Sequence, residues 1–432
     1  MTTKINNEHN KLNVPNKQEQ KQTCLDSAER EGLRPKGNVP NLRFPEFQGE
    51  WEEHYLSDYL DFKNGLNPKP DKFGRGIKFI SVMDILNNTV ITNDCIRVSV
   101  DVSEEELHNF CVENGDMLFQ RSSETLEDVG RANVYMDDKP AVFGGFVIRG
   151  KKKAEYNPLF FRYLLASPFA RRKIIPMGAG AQHFNIGQEG LNRVKLHFAS
   201  LDEQKKIATF LSLLDERIAT QNKIIEDLKK LKSAIIDYAI NSLDTDFAKF
   251  GFLYEMAGEG GTPTTSNANF YDNGKIPFIK IDDLKKKYLT KNKDFITELG
   301  LQKSSAWLVP TRSILFSNGA TIGEITITTY PVCTKQGILG IVPKQNIDVE
   351  YLYYFMSSSY FKKAVSRIVT EGTMKTAYLK DINNILCPIP TKEKQQEIAK
   401  MPSALNSKID FEQSILKLFC SQKQYLLRQM FI

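Results

Sequence analysis

From Ile207 onward, apolar residues recur in alternating steps of four and three: Ile207, Leu211, Leu214, Ile218, Gln221, Ile225, Leu228, Lys232, Ile235 and Ala239. Eight of these ten are apolar, which is the pattern of a coiled-coil seam. A helix over residues 202–242 would be ~60 Å long at ~1.5 Å per residue. That is more than one small domain covers, so part of the stripe must meet another helix. Shifted by 191 residues, the same steps fall on Ile398, Pro402, Leu405, Ile409, Glu412, Leu416, Phe419, Lys423, Leu426 and Met430. Polar residues interrupt both stripes at the same two places, 221/412 and 232/423. Two unrelated surface helices would not reproduce those interruptions, so the pattern predicts two equivalent helices packed on each other. Pro402 removes a helical hydrogen bond and crowds the preceding turn, which predicts a kink or break near Met401, with 403–430 as the long piece.

The blocks preceding the helices correspond more loosely, in the same order. Gly65-Leu66-Asn67-Pro68 matches Gly261-Thr262-Pro263, Ile80–Ile85 matches Ile279–Leu284, and Gly115–Phe119 matches Thr311–Phe316. Gly144-Gly145-Phe146-Val147 matches Gln336-Gly337-Ile338-Leu339, and Asn157–Leu164 matches Asp348–Phe355. Short apolar runs bounded by Gly, Asn and Pro (Ile77–Val82, Ile322–Thr328, Ile338–Val342) read as strands, and Tyr351–Val365 reads as a helix. Each block therefore reads as an α+β domain. The chain divides into a polar disordered tail (1–37), a first domain (38–200), a central helix (201–243), a second domain (244–390) and a distal helix (391–432). Antiparallel packing of the helices would relate the two halves by a pseudo-two-fold axis.

Composition narrows the class. The chain has 432 residues, 41% hydrophobic and 25% charged, which suits two or three globular domains. No apolar run approaches the ~18–20 residues of a membrane span, and no apolar leader opens the chain, so the expected location is the cytoplasm. The six cysteines include no C-x-x-C pair and the five histidines are dispersed, so neither a disulfide framework nor a metal site is expected. A G-x-x-x-x-G-K-[ST] loop is absent. Asn157-Pro158-Leu159-Phe160 resembles an amino-methyltransferase signature but lacks its second proline and any glycine-rich cofactor motif before it; a helix start explains it. Catalysis and bound cofactors are therefore not expected in this chain.

Binding chemistry is better represented. Lys and Arg exceed Asp and Glu by 58 to 52, and residues 149–173 hold eight bases against one acid. Over 202–241 the balance is seven against seven, so a surface that neutralises phosphates would lie on the globular blocks. Base readout needs forked or amide-bearing side chains on loops. The DNA-binding candidates in the first block are Arg75, Arg121, Ser122, Arg131, Gln182, His183 and Asn185 for readout, with Lys151, Lys152, Arg171 and Arg172 from the basic run for phosphates. In the second they are Thr264, Thr265, Asn269, Tyr271, Lys280, Ser317, Asn318, Lys335, Gln336 and Lys375 for readout, with Lys285 and Lys286 for phosphates.

The segment Asn38–Trp51 with Leu56 and Asp58, the Gly-Gly-Thr-Pro turn at 260–263, Pro310–Gly323, and the Leu201–Ala208 helix opening together resemble specificity subunits of type I restriction–modification systems. The resemblance covers roughly residues 38–432. It departs at Gly65-Leu66-Asn67-Pro68, where Gly-Gly-Thr-Pro is usual, and in lacking a second Trp51. It implies a non-catalytic subunit whose two target-recognition domains each read one half of an asymmetric bipartite DNA site. It also implies antiparallel helices that dock two modification (methyltransferase) subunits, with restriction (nuclease and translocase) subunits completing the complex. S-adenosylmethionine, ATP and magnesium would then belong to those partners. A protein-only coiled-coil scaffold with degenerate DNA-binding domains and a self-contained DNA methyltransferase are the alternatives.

Overall fold

The computed structural model describes residues 37–319, 321–369 and 375–432. Apart from Gly37, the tail expected over 1–37 lies outside the described residues. The chain forms two compact units, one of residues up to Thr220 with Leu416–Ile432, the other of Gln221–Ile415.

In the first unit an antiparallel sheet runs in the order Leu60–Asn64, Val147–Lys152, Met117–Gln120, Ala132–Val134. A second sheet joins Ser99–Val100, Phe73–Ile80, Ala141–Phe143 and Cys111–Val112. The Asn157 side chain accepts from Phe160 N at 2.9 Å, and Pro158 fills the first turn of helix Pro158–Ala166, where no N–H is needed. The Asn-Pro motif is thus a helix start. The helix turns Phe160, Phe161 and Leu164 into the core. Trp51 packs edge-on against Phe160 (5.8 Å) and Phe431 (6.2 Å), tying the chain entry to the end of the distal helix. Each such buried side chain contributes ~1.5–3 kcal/mol.

The second unit repeats the plan. Its main sheet runs Tyr254–Glu259, Ile338–Pro343, Ile314–Ser317, Ile325–Thr328, Tyr288–Leu289, and its second sheet joins Asp294–Ile296, Ile276–Ile279 and Cys333–Thr334. Strand Ile338–Pro343 and helix Val349–Ser357 lie 191 residues after Val147–Lys152 and Pro158–Ala166. Strands shift slightly from the sequence expectation. The first stops at Ile80, because Ser81 bonds the Asp84 carboxylate (2.7 Å) and opens helix Val82–Asn87; Ile322–Thr328 shortens to Ile325–Thr328. The helix expected over Tyr351–Val365 is two helices, Val349–Ser357 and Ser359–Ile368. Ser358 separates them and caps the second by accepting from Phe361 N at 3.2 Å.

The central helix spans Leu201–Asn241 and the distal helix Lys392–Gln429. Every seam position of both helices is buried or half-buried. In the first unit Ile207, Leu211 and Leu214 share one core with Leu426 and Met430, and Ile218 and Phe419 pack against it. The interruptions pair with polar groups: Lys423 with Asp215 in the first unit, Gln221 with Glu412 and Lys232 with Asn406 (3.0 Å) in the second. Rising position in one helix meets falling position in the other, so the pairing within the second unit is antiparallel. Of the kink or break expected near Pro402, the break does not occur, since the distal helix runs through it. Pro402 is buried, and the following Ser403 is held by Lys287 (2.8 Å), Tyr354 (3.1 Å) and Glu350 (2.7 Å), which offsets the lost hydrogen bond.

Candidate nucleic-acid interface

In the first unit four loops converge at one end of the main sheet. The segment after Asn64 is fixed by Leu66 N donating to Phe143 O (2.9 Å), and Gly65 lies so close to Gly144 that a Cβ would collide with it. The Gly144–Val147 turn closes with Val147 N donating to Gly144 O at 2.8 Å, and a Cβ on Gly145 would strike the Asn67 amide. Arg121 N donates to Phe146 O (2.9 Å) and its guanidinium to Gly145 O (3.3 Å). Ile186 N then donates to Arg121 O (2.9 Å), and the short ladder Ser122–Ser123 with Phe184–Asn185 joins the last loop. There the Ser122 hydroxyl bonds the Asn185 side chain, which donates to His183 O at 3.3 Å. Arg121, Ser122, His183 and Asn185 therefore come together, with exposed Gln182 in the same loop.

The second unit builds the same frame. Gly260 N donates to Ile338 O (2.9 Å), Gln336 N to the Thr262 hydroxyl (3.3 Å), Asn318 N to Gly337 O (3.0 Å) and Ala377 N to Asn318 O (2.9 Å). The last two repeat the bonds from Arg121 to Phe146 and from Ile186 to Arg121. The structure thus pairs Phe146 with Gly337, one residue off the Gly145–Gly337 match read from sequence. Lys335 and Gln336 are exposed here, with Lys375 two residues before Ala377. Lys335 N bonds Ile279 O (2.9 Å), which brings Lys280 alongside, paired to Asp294 at 2.8 Å. Thr264, Thr265 and Asn269 are exposed on the loop that continues from Pro263, whose carbonyl accepts from Tyr271 (2.5 Å).

Other candidates lie elsewhere or inside. Ser317 and Asn318 are buried: Ser317 bonds Thr321 O (2.5 Å) and accepts from Glu324 N (2.8 Å), while Asn318 donates to Ala377 O at 3.3 Å. They build the loop rather than offer side chains to a ligand, a correction forced by where the strand ends. The basic run 149–173 is likewise no single patch, because strand alternation and two helices scatter it. Arg149 is buried beside Asp116 (4.0 Å). Lys151 pairs with Glu113 (2.6 Å) and Lys152 with Glu155 (3.3 Å), at the strand end away from the turn. Arg131 (on Asp128, 2.7 Å), Arg162, Arg171 and Lys423 line a cleft of about 420 Å³. Arg171 donates to Glu127 O (2.9 Å) and Val129 O (2.6 Å); burial, reinforced by neighbouring Arg131, lowers it to about 10. Arg172 covers Phe169 (5.1 Å), Arg75 pairs with Asp101 (3.2 Å), Lys285 pairs with Asp282 (3.1 Å), and Lys286 is exposed.

Sequence reasoning passed over Asn67, Met83, Phe146 and Thr262 as site residues. The Gly-Gly pair before Phe146 was the available signal, since two adjacent glycines announce a tight turn that pushes the next side chain outward. Among the described residues no group of His, Cys, Asp and Glu could hold a metal ion, and no helix is long and apolar enough to cross a membrane.

Comparison with known proteins matches residues 48–230 and 248–418 to the type I restriction modification DNA specificity domain. The chain is 23% identical over 405 residues to the type I restriction enzyme MjaVIII specificity subunit of Methanocaldococcus jannaschii, covering 86% of this chain and 89% of that one. It is 32% identical over 173 residues, 39% of each chain, to the MjaIX specificity subunit of the same organism. In fold it resembles the type I restriction-modification S subunit of M. genitalium (TM-score 0.53, 16% identity, 91% of this chain and 99% of that one). With two copies of that domain, each on the same loop frame, the chain belongs to the type I restriction-modification DNA specificity family, as a non-catalytic specificity subunit with two tandem DNA-recognition domains.

Proposed function

We propose that each unit reads one half of an asymmetric, bipartite DNA target through the loop assembly at the end of its main sheet. The observation that carries this is a backbone frame repeated at its central bonds, from Arg121 to Phe146 and Ile186 to Arg121 in one unit and from Asn318 to Gly337 and Ala377 to Asn318 in the other, bearing different side chains. Arg121, Ser122, His183 and Asn185 stand on one copy, and Lys335, Gln336, Lys375 and the Thr264–Asn269 loop on the other. Arg suits guanine, and Asn or Gln suits adenine, so unlike sets select unlike half-sites. Exchanging residues 41–200 for the equivalent block of another family member should change one half of the methylated sequence and leave the other intact. Changes in both halves would overturn the modular reading.

The helices supply the other half of the role. Phe210, Leu213, Leu418 and Tyr425 in the first unit, and Leu231, Tyr238, Met401 and Phe411 in the second, are large apolar side chains left exposed on helix surfaces. They suit docking of two modification subunits, with restriction subunits joining the complex in the cytoplasm. S-adenosylmethionine, ATP and magnesium then sit on those partners. Leu213→Glu and Leu418→Glu should abolish co-purification of the modification subunit.

A further inference from the structure

We propose that the apolar groove beneath Phe146 is a recognition pocket for the methyl edge of a thymine in the half-site read by the first unit. This rests on the reading that the loops carrying Arg121 and Asn185 face DNA. The groove, about 390 Å³, is lined by Leu66, Pro68, Phe79, Met83 and Phe146, with Asn67 and Ser81 among its few polar neighbours. Phe146 is 67% exposed and Met83 61%, in a unit that buries most of its other large apolar side chains. Water contact with that much apolar surface is unfavourable, and the fold does not require the ring, because Gly337 holds the same place in the second unit.

The surroundings select the occupant. Arg121 flanks the tip and pairs with no carboxylate among the described residues; Ser122 and Asn185 follow on the adjoining ladder. An apolar floor beside a guanidinium and an amide complements the edge of an A·T pair in the major groove, where the thymine methyl projects beside hydrogen-bonding atoms. The tip is also pre-set. Val147 N closes the turn onto Gly144 O at 2.8 Å, and Gly145 packs on Asn67. Little ordering therefore remains to be done on binding.

The test uses the full chain with its modification partner. The methylated sequence is mapped for the wild type, Phe146→Ala and Phe146→Leu, and duplex affinity is then measured with each thymine of the affected half replaced by deoxyuridine. Phe146→Ala should relax one A·T position in one half only, and Phe146→Leu should keep most of the preference. At that position deoxyuridine should weaken wild-type binding by about four- to tenfold, the effect of one methyl group in an apolar pocket, and leave Phe146→Ala unaffected. A wild-type first half-site without an A·T pair overturns the proposal. So does an unaltered map for Phe146→Ala, or indifference of the wild type to deoxyuridine. If the wild type cannot tell its mapped target from a scrambled duplex, DNA recognition itself falls and the pocket with it. If it can, and Phe146→Ala behaves alike, only the pocket falls.

Discussion

Tyr163 and Tyr354 hold equivalent places in the two units but keep different company. Tyr163 donates to Asp215 (2.8 Å), a carboxylate shared with Arg162 (3.2 Å) and Lys423. Tyr354 donates to Ser403 (3.1 Å), which belongs to a group with Lys287 and Glu350, and Lys287 sits over the rings of Tyr288, Tyr353 and Tyr354. Nearby, two backbone anchors are kept. Gln204 accepts from Asn157 N (3.0 Å) and donates to Ala199 O (2.9 Å); Gln395 repeats both bonds with Asp348 N (2.7 Å) and Pro390 O (2.9 Å) and adds one to Asn346 O (3.2 Å). The duplicated halves keep the bonds that fix where backbone segments lie, whereas charge pairs are rebuilt with whatever groups are at hand. A buried amide has one geometry that satisfies it; a carboxylate accepts cations from several directions.

The largest effect should come from the more enclosed charge. The Lys287 side chain is 3% exposed, so Glu350→Ala leaves a buried ammonium without its carboxylate and should cost ~3–5 kcal/mol. Asp215→Ala abandons Arg162 and Lys423, which at 14% and 24% exposure reach water more easily, and should cost ~1–3 kcal/mol. Urea unfolding of the full chain gives the sizes, and hydrogen exchange locates the lost protection. Equal losses would show that solvent access does not separate the two networks.

Acid should expose the same contrast. Burial alone would raise the Glu350 carboxyl, but bonds from Lys287, Tyr288 and Ser403 outweigh it and hold the group below its ordinary value. A depressed carboxyl stabilises the folded state fully above its unfolded value and loses that contribution as pH falls through its folded one. Second-unit protection should therefore decline as pH drops below ~4.5, while Glu350→Gln, weaker at neutral pH, should lack that component. A mutant whose acid profile parallels the wild type would remove Glu350 from the argument.

How much of this was legible in the sequence follows from the same distinction. The heptad seam could be read because a long helix repeats its environment every two turns, so Ile207 through Met430 announce their partners by spacing alone. The repeat was legible where apolar runs survive duplication, as in Asn157–Leu164 against Asp348–Phe355. The proposed interface was not legible residue by residue, and the basic run that composition singles out is scattered by strand alternation and two helices. Whether Ser317 points inward and Phe146 outward depends on where a strand ends and how a glycine turn closes, and both are decided by tertiary hydrogen bonds. Pro402 does not break its helix although its local cost is real, because the bonds around the following Ser403 come from residues far away in sequence.

A smaller effect tests the unchanged bonds. Gln204→Ala and Gln395→Ala each strand a half-buried backbone N–H and a buried carbonyl, and each should cost ~2 kcal/mol. Because the two anchoring bonds are shared and the extra acceptor, Asn346 O, belongs to an exposed residue that water can satisfy, the losses should agree within ~1 kcal/mol. A difference above ~1 kcal/mol would mean that the units have diverged in their frames as well as in their charges.

The smallest effect on stability lies at the seam, where the repeat meets itself. Gln221 donates to the Glu412 carbonyl (3.1 Å) and carboxylate, and Lys408 pairs with that carboxylate at 2.6 Å. Replacing both seam residues by leucine removes amide and carboxylate together and leaves only Lys408, 53% exposed, to be satisfied by water, so stability should stay within ~1 kcal/mol of the wild type or rise. Glu412→Leu alone strands part of the Gln221 amide and should be the less stable protein. What the double variant loses is part of its selectivity, because a buried polar pair matches in one register only, and with this pair gone only Lys232 with Asn406 and Lys423 with Asp215 still oppose a slide by one turn. Sliding would be read as methylation of targets whose unread spacer differs from the wild-type length. A double variant that is both less stable than Glu412→Leu and faithful to the original spacer would show that the pair holds the helices together without choosing their register.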